Sequence, residues 1–142
     1  YIAGANGKLR LTIPLLHGRD QRALYTDIFF DNTQRWRAIH RHSIVSAYKH
    51  APYFEHYMPY FEPFYSENTF ENLFQWNREL LLLTLKLLKA NQTILFTSEY
   101  QNIIQNDIDD MRNKKLLSSR IKEYYQVFIE RNRFLPYLSI LD

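Results

Sequence analysis

Three histidines, two serines and a tryptophan fall within the stretch from Trp36 to His50, and Pro52 with the aromatic pair Tyr53-Phe54 follows it. On a helix turning about 100° per residue, Trp36, His40, Ser43 and Ala47 share one stripe, with Ile39, Ile44 and His50 at its edges. The stripe that should pack inward therefore carries imidazoles and a hydroxyl. Partial burial is what tunes an imidazole for proton transfer, so His40 and Ser43 are the catalytic candidates. The competing reading is a core histidine satisfied by a backbone or carboxylate partner. Arg37, Arg41 and Tyr48 form a neighbouring basic and aromatic stripe, which adds Trp36 and Tyr48 as candidate substrate contacts.

Metal and cofactor chemistry find little support. His40 and His42 are two apart, and residues so spaced on a helix point in different directions. No H-E-x-x-H, G-x-S-x-G, phosphate-binding loop or dinucleotide fingerprint occurs, and only 3 glycines are available to build one. No metal and no cofactor are expected.

Polar groups elsewhere could hold a ligand. Arg19 and Gln21 sit in an expected turn, where a guanidinium fork offers paired donors to a phosphate or carboxylate, or is merely solvated. Asp110, Arg112 and Lys114 belong to a charged loop that could anchor an anion or only stay soluble. Tyr124, Tyr125 and Gln126 could stack on a sugar or base and bond its edge; core aromatics are the commoner use of such a pair, and a buried Gln126 would then need a partner.

The elements that must position these groups read as α+β with helix in the majority. Short strands are expected near 9–15 and 24–30, pairing as antiparallel neighbours, and near 93–100. Asp31-Asn32-Thr33 offers N-caps for the Trp36 helix, which should end before Pro52. Pro52 suits the first turn of the next helix, and Pro59 and Pro63 restrict 53–65 to short helical turns. Asn68-Thr69-Phe70-Glu71 has the form of a capping box opening a long helix at about 69–89, whose leucines should be core. Residues 121–134 could be a further helix.

With 142 residues, 46 % apolar and 16 % aromatic, the chain can bury a real core. One domain spanning 1–142 is expected, the middle part of a longer chain, because it opens on Tyr1-Ile2-Ala3-Gly4 and stops in the apolar run Leu138-Ser139-Ile140-Leu141-Asp142. A net charge of +3 suits a small anionic ligand and is too small to argue for nucleic acid. The apolar run around Leu80–Leu88 is too short for a membrane span. The absence of cysteine fits a reducing cytoplasm.

The ordered pieces Ile2-Ala3-Gly4-Ala5-Asn6-Gly7, Leu11-Thr12-Ile13-Pro14-Leu15, Trp36…His40…Ser43-Ile44…Ala47-Tyr48…Ala51-Pro52-Tyr53-Phe54, Glu62-Pro63-Phe64-Tyr65, Asp110-Met111-Arg112 and Tyr124-Tyr125-Gln126-Val127-Phe128 together resemble the WbqC-like proteins of bacterial surface-polysaccharide gene clusters. The chain departs from that pattern at His42 and Tyr137, where Trp and Asn would be expected. The resemblance implies a cytoplasmic transferase of O-antigen or capsule synthesis, with transfer of an aminoacyl group such as glycine to a nucleotide-linked amino sugar. The alternative is a non-catalytic module of a polysaccharide-assembly complex. There the aromatic block from Tyr53 to Tyr65 would meet a protein partner.

Overall fold

The computed structural model describes residues 1–16, 23–66, 69–97, 99, 122–139 and 141. It opens with an antiparallel hairpin, β1 (Ile2–Gly4) and β2 (Gly7–Leu9), in the register Ile2↔Leu9, Ala3↔Lys8, Gly4↔Gly7. The turn falls on Ala5-Asn6, and Gly7 takes the positive φ of 107° that closes it. A side chain at Gly7 would meet open space and still be strained by that φ. After a 3-10 turn at Tyr25–Asp27 come helices α1 (Trp36–Tyr48), α2 (Phe54–Phe61) and, beyond a second 3-10 turn at Glu62–Tyr65, α3 (Leu73–Leu87). A single turn of helix, α4 (Ile129–Asn132), lies near the end. The class is α+β with helix in the majority.

The strands lie elsewhere than the sequence pattern places them. Segments 9–15 and 24–30 do meet as antiparallel neighbours, but through one bridge, Leu15↔Phe30, with Leu16 N–H donating to Phe29 O and Asp31 N–H to Pro14 O. On its other edge, 28–30 is held by Glu71–Leu73: Phe30 N–H donates to Glu71 O and Leu73 N–H to Ile28 O. Two short neighbours thus satisfy one central segment, and none grows into a full strand. Residues 93–97 form no strand, and Leu95 is almost wholly exposed; Ser98 and Tyr100 lie outside the described residues.

The long helix is shorter than expected and starts four residues later. Asn72 is its cap, with Oδ1 accepting from Phe74 N–H (2.8 Å) and Gln75 N–H (3.1 Å), and Asn68, the first residue of the expected box, lies outside the described residues. Its leucines are only partly core. Trp76, Leu80 and Leu83 fall on one stripe and face the aromatic cluster, whereas Leu81, Leu82 and Leu88 are exposed. Four consecutive leucines sweep about 300° of a helix, so a helix packed on one side must leave some of them in water. The expected helix over 121–134 reduces to α4. Pro52 is not inside the next helix: Tyr53, left-handed at φ 63°, sets the break before α2.

Two apolar clusters result. Phe30, Trp36, Phe64 and Trp76 pack edge to face with ring centroids 5.1 to 6.4 Å apart. Ile2, Ile44 and Tyr48 form the second, closed by residues including Leu11, Phe54 and Met58. No helix among the described residues is long and apolar enough to cross a membrane.

The Asn72 cap yields the first prediction. Asn72→Ala should lower unfolding free energy by at least about 1 kcal/mol in a urea titration with unchanged slope. An unshifted midpoint would show that α3 does not depend on this cap.

Candidate functional site

Helix α1 buries Trp36, Arg37, His40, Ile44 and Tyr48. The inward stripe therefore runs at four-residue spacing, with Ser43 and Ala47 to one side and half-buried. Asp31 does not cap α1. It turns back on itself, accepting from Thr33 N–H (3.0 Å), Thr33 Oγ1 (2.5 Å) and Gln34 Nε2 (3.3 Å). The Thr33 bonds hold its carboxyl below the usual range. The helix N-cap is Arg35, which makes no side-chain cap bond.

His40 is 5 % exposed and has a backbone partner, as the competing reading of a core histidine expects. Its Nε2 lies 3.0 Å from the Thr12 carbonyl. A carbonyl only accepts, so Nε2 carries the hydrogen and, in the neutral ring, Nδ1 keeps the lone pair. No described residue bonds Nδ1, and it is not among the buried side-chain nitrogens left without a partner. Burial lowers the imidazole pKa below its ordinary value, outweighing the opposing Thr12 bond. At neutral pH the ring is an uncharged base, fixed at one nitrogen and open at the other.

A cavity of about 230 Å³ adjoins it, lined by the segment Arg10–Pro14 on one side and by Gln34, Trp36, Ile39 and His40 on the other. The rings of Trp36 (centroids 5.2 Å apart) and Tyr65 (6.3 Å) bracket the imidazole edge to face. Burial pushes the Tyr65 phenol up to about 12, so it stays protonated and is no base at neutral pH. Trp36 Nε1 is buried without a hydrogen-bond acceptor, and the Phe30, His40 and Trp76 rings are its close neighbours. A larger apolar cavity of about 300 Å³ lies between the C-terminal ends of α1 and α3 and helix α2. Among the described residues no charged side chain lines it.

The other expected site residues distribute unevenly. Trp36 lines the His40 cavity. Ser43 Oγ donates to the Ile39 carbonyl one turn back (2.8 Å), with no bond to His40. Tyr48 is buried in the second cluster, and its hydroxyl accepts from Ala3 N–H (3.0 Å), tying the hairpin to α1. Tyr124 and Tyr125 are exposed. Gln126 is 1 % exposed and clamps Leu135 from both sides, Nε2 donating to its carbonyl (2.9 Å) and Oε1 accepting its N–H (2.8 Å). Arg19, Gln21, Asp110, Arg112 and Lys114 lie outside the described residues.

Arg10, Thr12 and Gln34 line the cavity and do not stand out in the sequence as site residues. Arg10 and Thr12 are the polar positions of an alternating segment, which is the signal that could have found them. Arg37, expected in the basic and aromatic stripe, is instead buried, its guanidinium donating to Asn32 Oδ1 and the Phe70 carbonyl and lying 4.5 Å from the centre of the Trp36 ring. It ties the turn that carries Gln34 to the approach to α3.

The α+β scaffold thus sets a neutral imidazole, anchored at Nε2, beside a cavity of about 230 Å³. The sequence model of the WbqC-like protein family matches residues 1–118, and the chain belongs to that family. No curated protein and no solved structure matches the chain.

These bonds make two predictions. Gln126→Leu would strand both polar groups of Leu135 and should cost about 2 kcal/mol of stability by urea unfolding; a neutral result would mean the clamp is not needed. For His40, the folded pKa lies below that of the unfolded chain, so the unfolded state takes up the proton first as pH falls. Its stabilising contribution is complete above the unfolded value of about 6.5 and is lost on acidification through the folded pKa. His40→Gln keeps a donor for Thr12 O and should flatten the fall in melting temperature between about pH 7 and pH 5. Identical pH profiles would exclude the depressed pKa.

Proposed function

We propose that the protein is a transferase of surface-polysaccharide synthesis that passes an aminoacyl group to the amine of a nucleotide-linked sugar, with His40 as the base. The observation that carries this reading is the imidazole itself, neutral, held by Thr12 and open at Nδ1 beside a cavity. Family membership supports the pathway assignment. In the proposed step the sugar amine attacks the acyl carbonyl and a C–N bond forms. The nitrogen of that adduct is far more acidic than the free amine, so a base of low pKa suffices to take its proton at Nδ1. The acyl carbon–leaving-group bond then breaks, and the proton can pass to the departing group. The cavity is about the volume of seven or eight waters, enough for one sugar ring or an amino acid, and the nucleotide would lie outside it. The proposed setting is the cytoplasm, in keeping with a chain free of cysteine.

One observation favours a second reading, an interaction module. Tyr53 is 76 % exposed, and Tyr57 and Tyr60 42 % each, with His56 packed against the latter two. These residues share one face of α2 and its cap, whereas Phe61 and Phe64 of the same block are buried.

The test is turnover of a nucleotide-linked amino sugar with an activated aminoacyl donor, wild type against His40→Gln. A loss of at least about a hundredfold in kcat with sugar binding retained is expected. Full activity in the variant removes His40 as the base, and no turnover by the wild type with any donor favours the interaction module.

A further inference from the structure

The larger cavity, of about 300 Å³, shares no lining residue with the one beside His40. Ile44 and Tyr48 of α1, Phe54, Met58 and Phe61 of α2 and Leu87 of α3 supply most of its wall. Water in such a space finds few polar partners, whereas a hydrocarbon entering it leaves water behind. The exposed lining residues Pro52, Tyr57 and Leu88 mark its open side, and Leu88 is 59 % exposed. Bases border that side. Lys49 and His50 stand in the chain between the lining residues Tyr48 and Ala51, and Lys86 and Lys89 flank Leu87-Leu88. All four are exposed, and none makes an ion pair among the described residues. The acids that adjoin the wall are placed differently. Glu62 is paired with Arg41, and Glu55 and Glu62 both line another depression beside α2. Asp142, next to Leu141, lies outside the described residues. Helix C-termini attract bases on their own account, because the macrodipole is negative there. Here two such ends meet at one cavity, so an apolar interior acquires a positive border.

We propose that this cavity binds a single-chain anionic amphiphile, its alkyl chain inside and its head group at the border set by Lys49 and Lys89. The volume is that of roughly ten waters, and a methylene is similar in size to a water, so about ten carbons of chain fill it. A neutral chain would gain the same burial and nothing from the bases, and a cationic one would be repelled by them. Two sources supply the shared chemistry, a fatty acid and a lipid phosphate. The site takes no part in the proposed transfer and does not depend on it.

Calorimetric titration of the intact protein with hexanoate, octanoate, decanoate and dodecanoate, each kept below micelle-forming concentrations, tests the site. Affinity should rise about fourfold per methylene, as full burial of each requires, and level off at about ten carbons. Decyltrimethylammonium should bind at least about tenfold more weakly than decanoate. Decyl phosphate against decanoate separates the two sources, since the tighter binder names the head group. Thr84→Phe, which places a ring in the cavity, should abolish binding. Leu88→Ala, at an exposed position that should not affect folding, should weaken decanoate. Lys49→Gln combined with Lys89→Asn, the latter suited to the left-handed φ of 54° at that position, should erase the preference for the anion and keep the dependence on chain length. Affinity independent of chain length, equal binding of the anionic and cationic chains, or no heat from any chain overturns the proposal. A dimer that takes up no chain and dissociates in Leu88→Ala would put a second copy of the protein in the cavity, and overturns it as well.

Discussion

One helix stripe must serve two cores. Trp36 closes the aromatic cluster, while Ile44 and Tyr48 close the aliphatic one, and His40 falls between them on the same face of α1. Tyr65 packs against both clusters and meets the His40 ring from the other side. A polar ring at such a junction is costly unless satisfied, and the chain satisfies one nitrogen through the Thr12 carbonyl. That single bond fixes the tautomer, docks the segment 10–14 against α1 and so forms the cavity wall. Structure and candidate chemistry rest on the same contact.

The supports around it are short and local. The turn at Asp31 orients Gln34 toward the cavity, and Arg37 fastens that turn to the approach to α3. Segment 28–30 gains one edge from Leu15 and the other from Asn72, whose side chain caps α3 at the same time. Bonds from Asn132 to Gly4 O (2.7 Å) and from Ser139 N–H to Tyr1 O (2.8 Å) bring the last residues onto the hairpin. A site assembled from turns of this kind is held by hydrogen-bond geometry more than by long regular elements.

Much of this was legible in the residues. The spacing of Trp36, His40 and Ser43 located α1 and its inward imidazole, because a helix face repeats faithfully. The stripe runs through Ile44 and Tyr48 rather than Ser43 and Ala47, since both clusters pull the larger apolar groups inward. The pairing of 9–15 with 24–30 was readable and its extent was not, as one central segment is shared between two neighbours. Asn6-Gly7 carries a hairpin signal, but its flanking strands are only three residues long and show no alternation to mark them. Alternation at Arg10 and Thr12 was visible, but which helix would face them was not. The Leu80–Leu83 run misled because hydrophobicity gives no direction when every side of a turn is apolar. The burial of Arg37 has no sequence signature, since it depends on Asn32 and Phe70 arriving from two other segments.

The central claim is that His40 is a neutral imidazole with hydrogen on Nε2 and a bare, reachable Nδ1. Nitrogen-15 NMR of the His40 ring across pH tests it most directly. A pyridine-like Nδ1 and a pyrrole-like Nε2 are predicted at neutral pH, with protonation only below the ordinary histidine value of about 6.5. A ring already doubly protonated at neutral pH, or carrying its hydrogen on Nδ1, would contradict the Thr12 anchor and the base that depends on it.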